Sequence, residues 1–161
     1  FRLTLAKRAY IRSPRVQRSE VEVNEGKIEL IGALRQTAER LAGGARYEWG
    51  HMGRCNCGHL VQTLTDMSDV EIVRSIDHQL DEWTEHAHDY CAGTGKAVDD
   101  LFRALESVGF GHTDVMRLEY LSDPRVLERL PGDKRYLRRN DVEDVTLYME
   151  TMADVLEAEL V

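Results

Sequence analysis

The residue types that bind transition metals or perform thiol chemistry are concentrated in two short segments of this chain. The first reads EWGHMGRCNCGH over positions 48–59, and the second reads EHAHDYC over positions 85–91. All three cysteines and four of the six histidines lie within these two segments. Thiolate sulfur and imidazole nitrogen are the ligands that zinc prefers, so the clustering indicates a metal site or a reactive thiol.

Zinc is the metal that this set of side chains favours, with three thiols and one imidazole as ligands. Cys55 and Cys57 are too close in sequence to form a disulfide without strain, but both can face one ion if the backbone turns between them. Gly53 and Gly58 bracket the pair and are expected to permit that turn. Cys91 would approach from the end of a second long helix, and an iron–sulfur cluster is less favoured because it usually takes four cysteines.

Three histidines compete for the fourth position on the zinc ion. His51 is the first choice because it precedes Cys55 by four residues in the same loop, His88 is the second and His86 the third. A tetrahedral site needs one of them within bonding distance of the metal. The sequence therefore predicts a zinc site formed by Cys55, Cys57, Cys91 and either His51 or His88.

The same cluster fits two further classes of function. In an enzyme, a zinc-bound water would use Glu48 or Glu85 as its general base, or one thiolate of Cys55 and Cys57 would act as nucleophile beside a histidine. In a helical interaction module without chemistry, the cysteines would be small buried core residues. No reaction or substrate follows from the residues, so no catalytic role is assigned.

Length and composition predict one domain with its own core. The chain has 161 residues, of which 42% are hydrophobic and 31% are charged, which is typical of a globular protein. No apolar run approaches the roughly 20 residues of a membrane-spanning helix. Three cysteines indicate reduced thiols and a cytoplasmic location. The net charge of −8 argues against nucleic acid as partner and leaves a protein partner or a small-molecule substrate open.

Residues 1–20 differ from the rest because they carry six basic side chains and one acidic side chain. The segment lacks the apolar centre of a secretory signal and partly resembles an organelle transit peptide. The favoured interpretation is a poorly ordered fragment or a misassigned start, with translation beginning near Val21. The helical domain is accordingly assigned to residues 21–161.

Apolar residues recur at spacings of three and four along most of the chain, which predicts helices and no strands. The expected helices span Asn24 to Gly43, 59–64, 68–91, 96–108, 124–130 and 140–159. Ser68 and Glu71 form a capping-box signature at the start of one of them. We therefore expect an all-α, single-domain helical bundle with one glycine-rich Cys/His loop.

Two features lie beside or outside the cluster. Trp49 is expected to pack in the core near the site. The basic stretch 134–139 is expected to be a solvated loop that pairs with an acidic body, rather than a binding site for anions or nucleic acid.

The segments Trp49-Gly50-His51-Met52-Gly53 and Cys55-Asn56-Cys57-Gly58 resemble those of an uncharacterised family of small bacterial helical proteins with a Cys-x-Cys motif. The resemblance covers most of the chain after Val21. It implies no activity, cofactor or partner, so the interpretation of the residues stands on their chemistry alone.

Metal analysis tests the zinc site. Protein purified without a His-tag is expected to contain about one zinc ion per chain, because a four-ligand Cys/His site binds zinc tightly at neutral pH. A content below about 0.2 zinc per chain, unchanged after zinc is added to the reduced protein, would exclude the site.

Overall fold

A computed structural model of the chain describes residues 18–75, 99–134 and 136–160. These residues form helices and no strand, which confirms the all-α class. No helix among them is both long and apolar enough to cross a membrane. The helices are α1 (Glu20–Ala42), α2 (Asn56–Thr65), α3 (Asp69–Ser75), α4 (Asp99–Ser107), α5 (His112–Tyr120), α6 (Pro124–Leu127) and α7 (Val142–Ala158).

The core is organised around the two longest helices, α1 and α7, which make the most extensive contact between elements in the described part of the chain. Leu34 and Leu41 of α1 are buried, as are Met149 and Met152 of α7. These residues belong to the apolar faces that the helical spacing predicted. Ile28, the first member of the predicted α1 face, is 58% exposed, so the buried part of that face begins after it.

Helix α1 begins four residues before the predicted start at Asn24. Ser19 caps it: the Ser19 hydroxyl accepts the N–H of Glu22 at 3.3 Å, and the Glu22 carboxylate accepts the N–H of Ser19 at 2.9 Å. This reciprocal pair satisfies two helix N–H groups, which is why the helix starts here. Arg18 donates to the carbonyl of Glu106 at 2.7 Å, so the end of the predicted N-terminal segment contacts the last turn of α4.

Three capping or termination signals predicted from the sequence coincide with helix ends in the structure. Ser68 and Glu71 form the expected capping box at the start of α3, with bonds of 2.7 and 3.2 Å. Gly109 follows α4 with a positive φ of 82°, a backbone conformation that favours glycine. Pro124 opens α6, and Asp123 caps that helix through the N–H of Arg125. The long helix predicted over 68–91 is described only as far as Ser75.

Helix α2 is the centre of the arrangement because it contacts α1, α3, α4 and α5. Helix α5 was not predicted from the sequence. Its start carries Gly111 in place of a capping side chain, and the Gly111 N–H is accepted by the side chain of Asp114 at 2.9 Å. The helix therefore lacks the usual N-terminal signal of a Ser, Thr, Asn or Asp cap.

Asp123 is a fully buried carboxylate at the junction of α5, α6 and α7. It accepts bonds from the Arg125 guanidinium at 2.8 and 3.2 Å. The Asp123 N–H donates to the Tyr148 hydroxyl, which donates in turn to the carbonyl of Arg117. Burial by itself raises the pKa of Asp123, but the hydrogen bonds from Arg125 and the charges of Arg125 and Arg117 outweigh it, so the pKa is lowered overall.

We expect Asp123→Asn to reduce the free energy of unfolding by about 1–3 kcal/mol at neutral pH, because it weakens buried charge-assisted bonds. The folded-state pKa of Asp123 lies below its unfolded value. Its stabilisation is therefore complete above the ordinary aspartate pKa of about 4 and is lost as the pH falls through the folded-state pKa.

Urea unfolding at a series of pH values between about 7 and about 2.5 measures this effect. The difference between the parent protein and Asp123→Asn should narrow as the pH falls. Asp133→Asn is the matched control because Asp133 is exposed, and it should change little at any pH. A gap that stays constant across the series would show that the Asp123 charge contributes nothing.

Candidate functional site

The Cys-x-Cys segment joins an irregular loop to the first turn of α2. Cys55 is the N-cap residue of that helix, and its Sγ accepts the N–H of Gly58 at 3.4 Å. A sulfur atom here takes the place that a serine or aspartate oxygen fills in most N-caps. Cys57 lies inside the helix. The prediction of one glycine-rich loop carrying both cysteines is therefore wrong for Cys57, because the cap at Cys55 starts the helix before it.

Gly53 and Gly58 serve close packing and do not provide a turn of positive φ. A Cβ atom on Gly58 would collide with the carbonyl of Met52 and with Gly53, and one on Gly53 would lie 2.5 Å from the carbonyl oxygen of Asp69. The loop therefore lies directly against the start of α2 and the start of α3. The role of Gly53 and Gly58 therefore differs from the predicted one, which was to bend the chain around a metal ion.

Both thiols are buried and protonated. The Cys57 thiol donates weakly to the carbonyl of Val115 at 3.5 Å, and the Cys55 sulfur lies 3.8 Å from the carbonyl of Met52. Burial raises the pKa of both cysteines well above the ordinary value, and the negative charge of Glu119 raises it further. A neutral buried thiol is a poor nucleophile. The environment therefore opposes the thiolate form that a catalytic nucleophile requires.

A buried carboxylate that the sequence did not single out sits at the start of α2. Glu119 of α5 is buried, and its Oε1 accepts the N–H of Cys57 at 2.7 Å. Beside it, the Asn56 side-chain amide donates to the carbonyls of Leu118 and Glu119 at 3.0 and 3.3 Å. A carboxylate at a helix N-terminus satisfies a free N–H group and interacts favourably with the helix dipole. These contacts bind the first turn of α2 to the last turn of α5.

Tyr47 extends this polar cluster toward the surface. Its hydroxyl lies 2.7 Å from Asn56 Oδ1 and 2.6 Å from the carbonyl oxygen of Arg139, and its single proton serves one acceptor at a time. Burial, and then the charge of Glu119, raise the pKa of Tyr47. The phenol therefore stays neutral and acts as a donor between the core and the loop at 136–140.

The two described histidines of the cluster are both engaged. Nδ1 of His51 accepts the N–H of Gly53 at 3.2 Å, so this nitrogen is already bonded to the backbone. His59 is buried, with Nε2 2.9 Å from the carbonyl of Arg46 and Nδ1 3.1 Å from the Arg40 guanidinium. Burial, and the charge of Arg40, lower the pKa of His59 and favour the neutral ring.

The predicted zinc ligands are only partly within the described residues. Cys91 and His88, together with His86, lie outside them. Among the residues that are described, no three side chains of His, Cys, Asp or Glu are placed to hold a metal ion, so His51 does not complete such a group with Cys55 and Cys57. A zinc site that uses Cys91 and His88 stays a prediction.

Glu48, one of the two predicted general bases, is paired with a cation. Arg54 donates to Glu48 at 3.3 Å and to Asp69 at 2.5 Å. The Glu48 carboxylate is therefore already engaged by a cation in the folded chain. Glu85, the alternative base, lies outside the described residues.

The prediction that Trp49 packs in the core is wrong, since 39% of this residue is exposed. It forms a surface with two other side chains. The Arg139 guanidinium carbon lies 5.1 Å from the centre of the Trp49 ring and 4.8 Å from that of the Tyr120 ring. Tyr120 is 43% exposed, and Arg139 is exposed as well. We call these three residues the aromatic–arginine surface.

The basic stretch 134–139 divides into paired and unpaired cations. Lys134 pairs with Asp144 at 2.5 Å, and Arg138 pairs with Asp141 at 2.7 Å. The expectation that this loop pairs with acidic side chains is therefore confirmed for these two residues. Arg139 differs, because its guanidinium contacts aromatic rings and pairs with no carboxylate in the part of the chain that the structure describes.

Alkylation tests the state of the thiols. In native protein at about pH 8, Cys55 and Cys57 should resist iodoacetamide because they are buried and protonated, and both should react once guanidinium unfolds the chain. Tryptic cleavage after Arg54 and Arg74 places the pair on one peptide and Cys91 on the next, so mass spectrometry separates them. Rapid labelling of either member of the pair in the native state would contradict the burial.

Comparison with protein-family models, with curated proteins and with solved structures finds no match to this chain. The resemblance to a bacterial Cys-x-Cys family therefore stays a prediction.

Proposed function

We propose that this chain is a helical interaction domain that contacts a partner protein through the aromatic–arginine surface, with the Cys-x-Cys segment as part of its structural core. The observation that carries the proposal is the position of Arg139. Its guanidinium is exposed and lies against two exposed rings, while Lys134 and Arg138 of the same loop are neutralised by carboxylates.

The composition of the surface supports a role in protein recognition. Tryptophan, tyrosine and arginine are the residues most enriched among those that dominate binding energy at protein interfaces. Here one of each lies in a single contact group. Cation–π contacts hold the guanidinium without using its N–H donors as a carboxylate would, so those donors stay available to a partner.

The chemistry of the cysteine segment supports the same choice over an enzyme. Its thiols are buried with raised pKa values. A ring nitrogen of each of its two histidines is already hydrogen-bonded to a backbone group. Catalytic thiols instead occupy accessible, electropositive surroundings that lower the pKa. The contacts of Cys55 and Cys57 are those of a helix cap and of a core residue.

Site-specific photo-crosslinking tests the proposal in cells that express the chain. A photoreactive phenylalanine is placed at Met116, which is 41% exposed and lies one turn before Tyr120 on α5. The matched control position is Leu127, which is 38% exposed on α6. We expect a discrete crosslinked species at position 116 that is absent at position 127, because Met116 shares a helix face with Tyr120 whereas Leu127 lies on a different helix.

Substitutions in the crosslinking background make the test specific. Trp49→Ala with Arg139→Gln should abolish the species at position 116, whereas Cys57→Ala should leave it in place because that thiol is internal. The partner protein in the crosslinked species is identified by mass spectrometry and purified. Its binding to the chain should weaken at least about tenfold with the double substitution. Equal crosslinking at both positions, or a species that depends on Cys57 and not on the surface, would overturn the proposal.

A further inference from the structure

The N–H donors of Arg139 define the chemistry of the partner more narrowly. A guanidinium carries five N–H groups in a plane, and Trp49 and Tyr120 contact it as rings without accepting those hydrogens. No described carboxylate pairs with them. The geometry of the donors matches a planar acceptor that takes two parallel bonds, which is the arrangement that arginine makes with a carboxylate or a phosphate.

Charge favours a carboxylate over a phosphate or a polyanion. The chain has a net charge of −8 because its acidic side chains outnumber the basic ones. Repulsion from these acidic groups grows in proportion to the charge of the ligand, so a single carboxylate is repelled less than a dianionic phosphate. A nucleic acid or an anionic membrane would present many such charges to the same acidic body.

An apolar area adjoins the guanidinium. Met116 and Tyr120 are spaced by four residues on α5, which places them on one face of the helix, and both are more than a third exposed. The methionine side chain is flexible and adapts its shape to different apolar groups. A ligand whose carboxylate reaches Arg139 would therefore lie with its neighbouring side chains against Met116 and the tyrosine ring.

From these contacts we infer that the aromatic–arginine surface binds a peptide segment of a partner protein in which an aspartate or glutamate stands beside an apolar side chain. This inference rests on the proposed function and names its ligand. The carboxylate forms two bonds with the Arg139 edge, and the apolar side chain covers Met116 and the Tyr120 ring. Burial of the aromatic area provides affinity, and the paired bonds provide selectivity for the acidic residue.

Selection from a random peptide display library tests the inference on the full chain. Peptides that bind the parent protein are selected on that protein alone, and unbound peptides are washed away. We expect the selected peptides to be enriched in an aspartate or glutamate next to an apolar residue. Synthetic copies should bind at least about tenfold more weakly to Arg139→Gln, because the paired bonds are lost.

Two further variants separate geometry from charge. Arg139→Lys keeps the charge and loses the planar fork, so it should also weaken binding substantially, by more than about fivefold. Arg138→Gln removes the same charge from the neighbouring residue, whose guanidinium already pairs with Asp141, and should weaken binding by less than about threefold. Circular dichroism and thermal unfolding of each variant verify that the fold is retained.

The outcomes distinguish this inference from the proposed function. Selected peptides that lack acidic residues, yet lose binding with Trp49→Ala, would overturn the carboxylate and leave the interaction surface standing. Competition by a phosphopeptide that exceeds that of its glutamate counterpart would overturn the choice of carboxylate over phosphate. Equal loss in Arg138→Gln and Arg139→Gln would reduce the effect to bulk charge. Peptides insensitive to every surface variant would contradict the inference and the proposed function together.

Discussion

The burial of the first turn of α2 is the constraint on which the arrangement around it depends. A helix N-terminus carries N–H groups without partners inside the helix, and such groups are costly to bury unless they are bonded. Cys55 Sγ accepts the N–H of Gly58, and the Glu119 carboxylate accepts the N–H of Cys57. Because one partner comes from the preceding loop and the other from α5, the solution also fixes where those two elements lie.

The contacts that spread from this point organise both the core and the surface. Asn56 bonds to the end of α5, and the Tyr47 hydroxyl lies within hydrogen-bond distance of both Asn56 Oδ1 and the carbonyl oxygen of Arg139. Tyr120 closes α5, and its ring supports the Arg139 guanidinium. The exposed aromatic–arginine surface is thus a direct continuation of the buried polar cluster, since the same short segments supply both.

The sequence predicted those elements whose signals are local. The Ser68–Glu71 capping box, the glycine after α4 and the apolar spacing of α7 depend on neighbours within one or two turns, and all appear in the structure. Helix α5 was missed because Gly111 stands where a capping side chain is expected. The start of α1 was placed at Asn24 because the pair of Ser19 and Glu22 was not recognised as a cap.

The candidate site was less predictable because residue type does not specify environment. The Cys/His clustering drew attention to positions 51–59, but the chemistry of a thiol depends on its burial and on nearby charge. Glu119 raises the pKa of both cysteines from 62 or more positions away in sequence, and no local pattern reveals such a neighbour. The exposure of Trp49 likewise depends on how the loop lies against α5 and the loop at 136–140.

Under the proposed function, Tyr47 has a consequence for how fast the partner binds. Its hydroxyl bonds to the main chain of Arg139, and two rings contact the side chain of the same residue. A guanidinium positioned before the encounter loses little conformational entropy on association. Recognition by such a group needs no prior ordering of the loop, so diffusion and orientation set the association rate constant, on the order of 10⁵–10⁷ M⁻¹ s⁻¹ for proteins that meet without a conformational step.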